Sequence, residues 1–410
     1  MSTKKQSRLK AAILDWLGVP VGLTDVAFWS ALSSGTAGQT VNQSTVMQLS
    51  AAWACIRLIA ETISTLPFGV YQRVGAGKKS AFDHPLHNII HTTSNGQIPA
   101  CVYWESCVSA MLTYGNAFSE MLMIGNRLVG LDFLPNSRLK ITRTNGGLRY
   151  QFTDASGNQK DIPENRIFRI PGFTLDSQWG VSSIEYGCKV FGSALAGAQA
   201  ANSMFENGLM PTTYFKMDKV LRKDQREEFR ENLQEVTGAM NGGKSPLLEG
   251  GMDIGVLGFN PKDAQLLESR GFSVEEICRW FRVPPHMVGH SEKVTSWGTG
   301  IEQQNMGFVT YVLLPWLIRI ESYVNLKLLS PADRSRFYTK HSIEGLLRAD
   351  SQGRAVYYRE MKNVAAITSD EIRELEDLEP IGGNAAKLTI NSSSVLLDDL
   401  GRNEDETVDA

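Results

Sequence analysis

The sequence predicts an α+β protein made of several regions, and three features of its 410 residues support this class. Apolar residues recur at helical spacing in several long segments. The segment 116–170 instead consists of short β-rich runs separated by turns, and residues 212–258 show a strand, helix, strand pattern between two helical segments. A chain of this length is expected to fold into two or more domains.

Composition and charge restrict the classes of function. The chain is 42% hydrophobic and carries a net charge of -3, so it lacks the strong positive charge of a protein that coats nucleic acid. Its five cysteines form no CxxC pair, which indicates a reducing compartment. Asp15, Gly18 and Pro20 interrupt the apolar stretch that follows the basic N-terminus. We therefore expect a soluble protein with neither a signal peptide nor a membrane span.

The N-terminal third is predicted to be an arm followed by helices and a β-rich part. Residues 1–43 are predicted to form a flexible arm, because the segment around 35–44 is mostly Gly, Thr, Gln, Asn and Ser. A helix is expected from Leu49 to Leu66, where Pro67 ends it, and a second over 101–113. Turn sequences then predict a β-meander, with turns at 125–126, 145–147 and 156–158.

The C-terminal half is predicted to be mainly helical. A helix over 182–207 precedes the small α/β insert, and another helix is expected to start after Gly271, where Ser273 and Glu276 form a capping-box pattern. The apolar stripe from 301 to 329 predicts a long helix that Pro315 kinks by removing a backbone hydrogen bond. Helices are expected again over 342–379, and an acidic tail follows.

One motif match favours a nucleotide hydrolase. Residues 238–245, GAMNGGKS, satisfy the phosphate-binding pattern GxxxxGKS and include Lys244. That loop works between a hydrophobic strand and a helix, so that backbone amides point at the phosphates. Here a charged helical segment precedes the match and Pro246 follows it. A glycine-rich turn is the preferred interpretation, and an ATPase is the alternative.

A second pattern favours a metal site. His84, His87 and His91 recur at i, i+3 and i+7 on a helix opened by Pro85, so one helix face could present all three to zinc. No cysteine or carboxylate nearby in sequence supplies an obvious fourth ligand. The preferred interpretation is a partly exposed structural face, without a cofactor or metal, and a zinc hydrolase is the alternative.

Two clusters combine aromatic and basic residues. In Arg279-Trp280-Phe281-Arg282 we expect buried aromatic rings beside solvated arginines. The segment 290–300, HSEKVTSWGTG, is a polar loop ahead of a long helix. Folding does not require Lys293 or Trp297 there, so this loop is predicted to face a partner.

Six strings together resemble the portal proteins of long-tailed phages. They are AAWACIRLIAETISTLPFGVYQR (51–73), HPLHNII (84–90), YGNAFSEML (114–122), FENGLMPTTYF (205–215), GFSVEEICRWFRVPPHMVG (271–289) and SWGTGIEQQNMGFVTYVLLPWLIRIE (296–321). The resemblance spans about residues 45–375, and the last two strings, in that order, are highly specific. Beyond residue 215 the clip segment matches no quoted string, nor does the tail, and the resemblance does not depend on His87 or His91.

The resemblance implies a multi-region portal fold that assembles into a ring, usually of twelve subunits, around a DNA channel. Combined with the segmentation above, the expected regions are an arm (1–43), wing (44–181), first stem helix (182–207), clip (208–260), second stem helix (261–284), tunnel loop (285–300), long kinked wing helix (301–341), crown helices (342–380) and acidic flexible tail (381–410).

The function that the resemblance implies is a passive conduit and not an enzyme. The ring is expected to replace one capsid vertex of the virion, after synthesis in the host cytoplasm. The partners implied are double-stranded DNA bound without sequence preference, the terminase large subunit, capsid and scaffold proteins, and head-completion or adaptor proteins. His290, Lys293, Ser296 and Trp297 are expected to line the channel, and Arg226 and Arg230 on the clip helix are expected to dock the motor or adaptor.

Overall fold

The structure is a computed structural model that describes residues 40–75, 77–144, 147–206, 213–217, 252–256, 262–290, 299–343, 351–376 and 378–389. The chain divides into two compact units, Met1–His341 and Ser342–Ala410. The division falls where the sequence predicts the start of the crown. None of the helices in these ranges combines the length and apolar character of a membrane span.

The first unit is built on helices that pack through the apolar stripes read from the sequence. These helices are α1 (Gln43–Val46), α2 (Ser50–Thr65), α3 (Pro85–His91) and α4 (Ala100–Tyr114). The predicted helix from Leu49 to Leu66 is confirmed as α2, whose buried face includes Ile56, Ile59 and Ile63 and packs on α4. The helix ends before Pro67, because the residue that precedes a proline avoids helical geometry.

The ordered body begins before residue 44, so the predicted arm of 1–43 is too long. Val41 is buried, and the side-chain oxygen of Asn42 accepts a hydrogen bond from the backbone amide of Thr45. The hydroxyl oxygen of Thr45 in turn accepts from the amide of Asn42. This reciprocal capping box satisfies two amides that helix geometry leaves without partners.

The central β-rich segment forms two sheets, so the prediction of a single meander is wrong. The strands described up to residue 171 are β1 (Phe68–Val74), β2 (Gly77–Ser80), β3 (Asn116–Ile124), β4 (Arg127–Phe133), β5 (Leu139–Thr144), β6 (Gly147–Thr153), β7 (Gln159–Ile162) and β8 (Ile167–Pro171). Strands β5, β6 and β7 form a true meander, but β8 returns to pair with β3, in the order β4-β3-β8. Phe118, Leu134, Tyr150, Ile162 and Ile167 form one buried cluster that joins the two sheets.

The next part of the chain contains helices α5 (Ser183–Tyr186), α6 (Cys188–Glu206) and α7 (Lys262–Phe281) with strands β9 (Thr213–Met217) and β10 (Met252–Val256). Strands β9 and β10 pair antiparallel. The prediction that Gly271 interrupts the helix is wrong, because α7 runs through it. A glycine costs a helix about 1 kcal/mol. Packing on α2 and α6, which buries Ile277, Cys278 and Phe281, outweighs that cost.

The long helix after the predicted loop has three parts. Helix α8 (Thr299–Phe308) widens into a π turn over Val309–Leu313, and α9 (Leu314–Lys327) continues the chain. Pro315 cannot donate to the carbonyl of Tyr311, which lies inside the π turn. The helix ends well before 341, because Phe337–His341 forms strand β11, paired antiparallel with β1.

The second unit contains α10 (Ser351–Asn363) and α11 (Ser369–Leu375). The carboxylate of Asp370 accepts hydrogen bonds from the backbone amides of Ile381 and Gly382. Residues 381–389 are therefore attached to this unit, and the predicted flexible tail of 381–410 starts too early.

Three histidines at α3 form the contacts of this helix with its own first turn and with the start of β1. The Nδ1 atom of His84 caps α3 by accepting from the amide of Leu86, and Nδ1 of His87 accepts from the amide of Val70. His91 stacks on His87, with ring centroids 4.8 Å apart, and its Nδ1 lies 3.2 Å from the carbonyl oxygen of Phe68. These contacts give all three histidines a structural role.

The loop after β8 is attached to the end of α4 by an unusually close backbone approach. The amide of Gly172 donates to the carbonyl oxygen of Gly115, and the side chain of Asn116 both donates to and accepts from the backbone of Gly180. A Cβ atom added at Gly180 would lie 1.7 Å from the Gly115 oxygen, a separation no real contact allows. Gly115 itself has φ +81, so both positions favour glycine.

We expect Gly180→Ala to lower the free energy of unfolding by about 3 kcal/mol or more, because the added methyl group must displace backbone. Gly197→Ala is the matched control. It lies inside α6 with nothing within 4 Å of its added Cβ, so this change should be neutral or stabilise by up to about 1 kcal/mol. Thermal and urea unfolding measure both, and equal effects of the two substitutions would contradict the close approach.

Stability should fall in mild acid. Burial lowers the pKa of His84, His87 and His341 in the folded chain. The unfolded chain, with a histidine pKa of about 6.5, then binds more protons as the pH drops. The full stability is therefore present above about pH 6.5 and declines below it. We expect a lower melting temperature at pH 5.5 than at pH 7.5, and a smaller difference in His87→Gln. Identical pH dependence in that variant would exclude a contribution from His87.

Candidate functional site

The segment after α7 turns sharply toward the predicted loop. Arg282 adopts a left-handed backbone with φ 59, and the amide of Val283 donates to the carbonyl of Cys278, which closes the helix end. Pro284 cannot continue the helix, and residues Pro285–Val288 form one 3-10 turn that ends at Gly289 with φ +81. Two left-handed residues thus redirect the chain within eight positions.

His290 is held against α7. Its backbone amide donates to the carbonyl of Pro285, and its ring lies beside Gly271, at 3.7 Å from the position of a Cβ there. Its Nε2 atom is 4.0 Å from a carboxylate oxygen of Glu275, and 17% of the side chain is exposed. The imidazole therefore faces a carboxylate of α7. His290 anchors one end of the loop.

The other predicted site residues lie outside the described residues. These are Lys293, Ser296 and Trp297 of the loop, Arg226 and Arg230 of the clip helix, and the GxxxxGKS match with Lys244. Of the predicted loop, the structure describes the two ends, which are His290 and Thr299, the first residue of α8.

The basic and aromatic cluster at the end of α7 is only partly as predicted. Phe281 is buried and packs near Phe191 of α6, but Trp280 keeps 37% of its surface exposed. Trp280 forms part of the wall of a cleft of about 560 Å³. The sequence did not indicate this cleft, because its walls come from four segments that are distant along the chain.

The cleft lies where the end of α7 meets the end of α4, the loop 173–183 and the π turn of the long helix. Its apolar walls include Phe173 and Leu175 of the loop, Trp280, and Val312 and Trp316 of the long helix. The attachment of Gly180 to Asn116 holds the loop wall in place. Its volume is well above that of a single aromatic side chain.

Three arginines line the cleft. Arg279 is paired with Glu275 and Glu276 of its own helix. Arg319 lies 5.7 Å from the Trp316 ring, and burial lowers its pKa. Within the described part of the chain, neither Arg282 nor Arg319 forms an ion pair. The cleft is thus apolar on its walls and cationic at its edge, which favours an apolar group next to a carboxylate.

The zinc alternative receives no support from the geometry. Each of His84, His87 and His91 directs a ring nitrogen to a backbone atom. No group of three metal-binding side chains is found in the ranges that the structure covers.

Comparison with known proteins gives a consistent family. A family model described as phage portal protein matches residues 50–377. The portal protein of Enterobacteria phage HK97 is 31% identical over 375 residues, which cover 89% of this chain and 87% of that protein. These matches do not support the ATPase alternative.

Solved structures of similar fold come from the same group of proteins. A crystal structure of an HK97 family phage portal protein from Corynebacterium diphtheriae has a TM-score of 0.55 at 14% identity, and covers 74% of this chain and 96% of that one. The neck of a native gene transfer agent particle, computed with C12 symmetry, has a TM-score of 0.54 at 19% identity, with 85% and 98% covered. The predicted α+β portal fold is confirmed. Because the family model covers most of its length, the chain belongs to the phage portal protein family.

Proposed function

We propose that this portal subunit forms a closed ring of twelve copies at one vertex of a phage capsid, as part of the virion, after synthesis in the host cytoplasm. The family match over residues 50–377 carries this proposal. The C12 neck structure of a related fold supports the copy number. In this proposal the ring is a conduit for double-stranded DNA during packaging, retention and ejection.

The arrangement of helices supports assignment of stem and clip. Helices α6 and α7 pack together, and the chain between them contains the antiparallel pair β9 and β10. An insert that leaves and re-enters through two packed helices is suited to project from the body. We assign α5, α6 and α7 to the stem and residues 208–260 to the clip. The clip would dock the terminase large subunit, and later a head-completion or adaptor protein, while capsid and scaffold proteins would contact the wing.

Residues 291–298 join two defined ends, His290, which is held against α7, and Thr299, the first residue of α8. We assign this connection to the channel as the tunnel loop. Lys293 is the only lysine of this segment, and twelve copies of the chain would place a ring of lysine charges around the DNA. Ser296 and Trp297 lie where the loop re-enters a helix. Because the imidazole of His290 faces Glu275, we assign His290 to anchoring rather than to DNA contact.

The chemistry proposed is steric and electrostatic. Contacts to phosphates neutralise charge without reading base edges, so they let any sequence pass. Negative-stain electron microscopy of the purified protein tests the assembly directly. Closed rings with a central hole are expected, and a monomer at all concentrations tested would contradict the ring.

Deletion of residues 291–296 should leave soluble rings that package or retain DNA poorly, because the wing and stem do not depend on this loop. Lys293→Ala should give a milder defect that worsens as salt is raised, since exposed charge contacts are screened. A DNA-packaging assay with purified motor measures both. A deleted ring that packages and retains a full genome like wild type would remove the loop from the gate.

Charge reversal at Arg226 or Arg230 should weaken binding of the motor or adaptor while rings still assemble. The sequence predicts a charged helix on this insert, and such a helix would have little core to serve, so its surface would be available to partners. Binding of the terminase large subunit to preformed rings measures the effect, and reversal of Arg143 in the wing sheet is a control. Loss of ring assembly would instead make this helix a subunit contact.

A further inference from the structure

The cleft beside α7 exposes several large apolar side chains to solvent. Phe173 is 62% exposed and Leu175 is 60% exposed, and both lie at the same concavity as Trp280. Apolar surface left in water costs about 25 cal/mol per Å². Contiguous exposed apolar patches on soluble proteins mark interaction sites. Arg282 and Arg319, which form no ion pair with the residues that the structure describes, add a requirement for negative charge.

A second surface of the same unit has the complementary character. Phe82 lies in the turn between β2 and α3 and is 72% exposed, with only the edge of the His87 ring against it. Asp83, next to it, is also exposed and forms no ion pair with the described residues. A protruding phenyl ring beside a free carboxylate matches an apolar cleft with arginines at its edge.

Ring symmetry requires such a pair of unlike surfaces. In a closed ring each subunit contacts two neighbours through different faces, so that one face must fit the other. Contacts of this kind repeat around the ring without a twofold axis. A concave surface with arginines at its edge and a convex turn with a phenyl ring and a carboxylate, on the same subunit, satisfy that condition.

We propose that the cleft receives the Phe82–Asp83 turn of the neighbouring subunit, with Phe82 against the aromatic walls and Asp83 paired with Arg319. This inference rests on the ring of the proposed function. It assigns the occupant of the cleft to a second copy of the chain, and the contact contributes both apolar burial and a desolvated ion pair.

The test uses opposite charge reversals on the two surfaces. Asp83→Arg alone places like charges together at every contact, and Arg319→Glu alone does the same with negative charge. Each variant should need at least about tenfold more protein than wild type to assemble, as measured by analytical ultracentrifugation and negative stain. The difference should shrink as salt rises from 0.1 to 1 M, where the screening length falls from about 10 to 3 Å.

An equal mixture of the two variants gives the decisive result. In an alternating ring, Arg at position 83 meets Glu at position 319 in one contact, and the native Asp83 meets the native Arg319 in the next. Every contact is then complementary, so the mixture should assemble where neither variant does alone. Only a head-to-tail contact between these two surfaces predicts this rescue.

Two controls separate the contact from general effects. Phe82→Ala should weaken assembly, whereas Ile124→Ala, at a side chain of similar exposure in the β3–β4 hairpin, should not. Thermal unfolding of Asp83→Arg, an exposed position, should match wild type. Wild-type assembly by both single variants, or no assembly by their mixture, would overturn the proposed contact while wild-type rings persist. Absence of rings in the wild-type protein would instead overturn the proposed function.

Discussion

The close approach of the backbones at Gly115 and Gly180 is the constraint on which the first unit depends. It brings the end of α4, the start of β3 and the loop after β8 to one point, where Asn116 bonds to both polar groups of Gly180. The hydroxyl of Ser182 donates to the carbonyl of Thr113 just beyond, and the same side chain caps α5. The start of α5 is therefore fixed to the end of α4 by hydrogen bonds of a buried side chain.

A second junction joins α2 to α7. The thiols of Cys55 on α2 and Cys278 on α7 lie 3.9 Å apart, and both residues are buried. The neighbouring thiol of Cys278, together with burial, raises the pKa of Cys55, so this group stays protonated and packs as a small apolar side chain. The last turns of α7 thus hold a defined position relative to α2. This contact therefore also sets the position of the turn that leads from α7 to His290.

These two junctions explain why the cleft exists. The loop wall is held by Gly180 and the helix wall by α7, while the π turn before Pro315 supplies the third side. Each wall is held by separate contacts, so the concavity between the walls stays open although its apolar surface is exposed. A chain with a net charge of -3 nevertheless presents arginines at this edge. Local charge, and not the total, determines which surface can dock there.

The sequence alone determined the features that depend on neighbouring residues. The apolar stripe of α2, its end before Pro67 and the turns of the β-rich segment follow from local periodicity and backbone preferences. The strings 271–289 and 296–321 identified the family. The position of the loop between two helices also followed from the order of elements.

Only the tertiary structure decided the features that depend on distant contacts. Gly271 is a helix breaker by local preference, but packing of α7 on α2 and α6 keeps the helix continuous. The return of β8 to β3, which makes two sheets of one predicted meander, is a pairing over about fifty residues that no local pattern encodes. The cleft joins Leu112, Leu175, Trp280 and Trp316, which have no common periodicity. Burial and pairing energies act between segments brought together by the fold, and a single sequence records each segment without its neighbours.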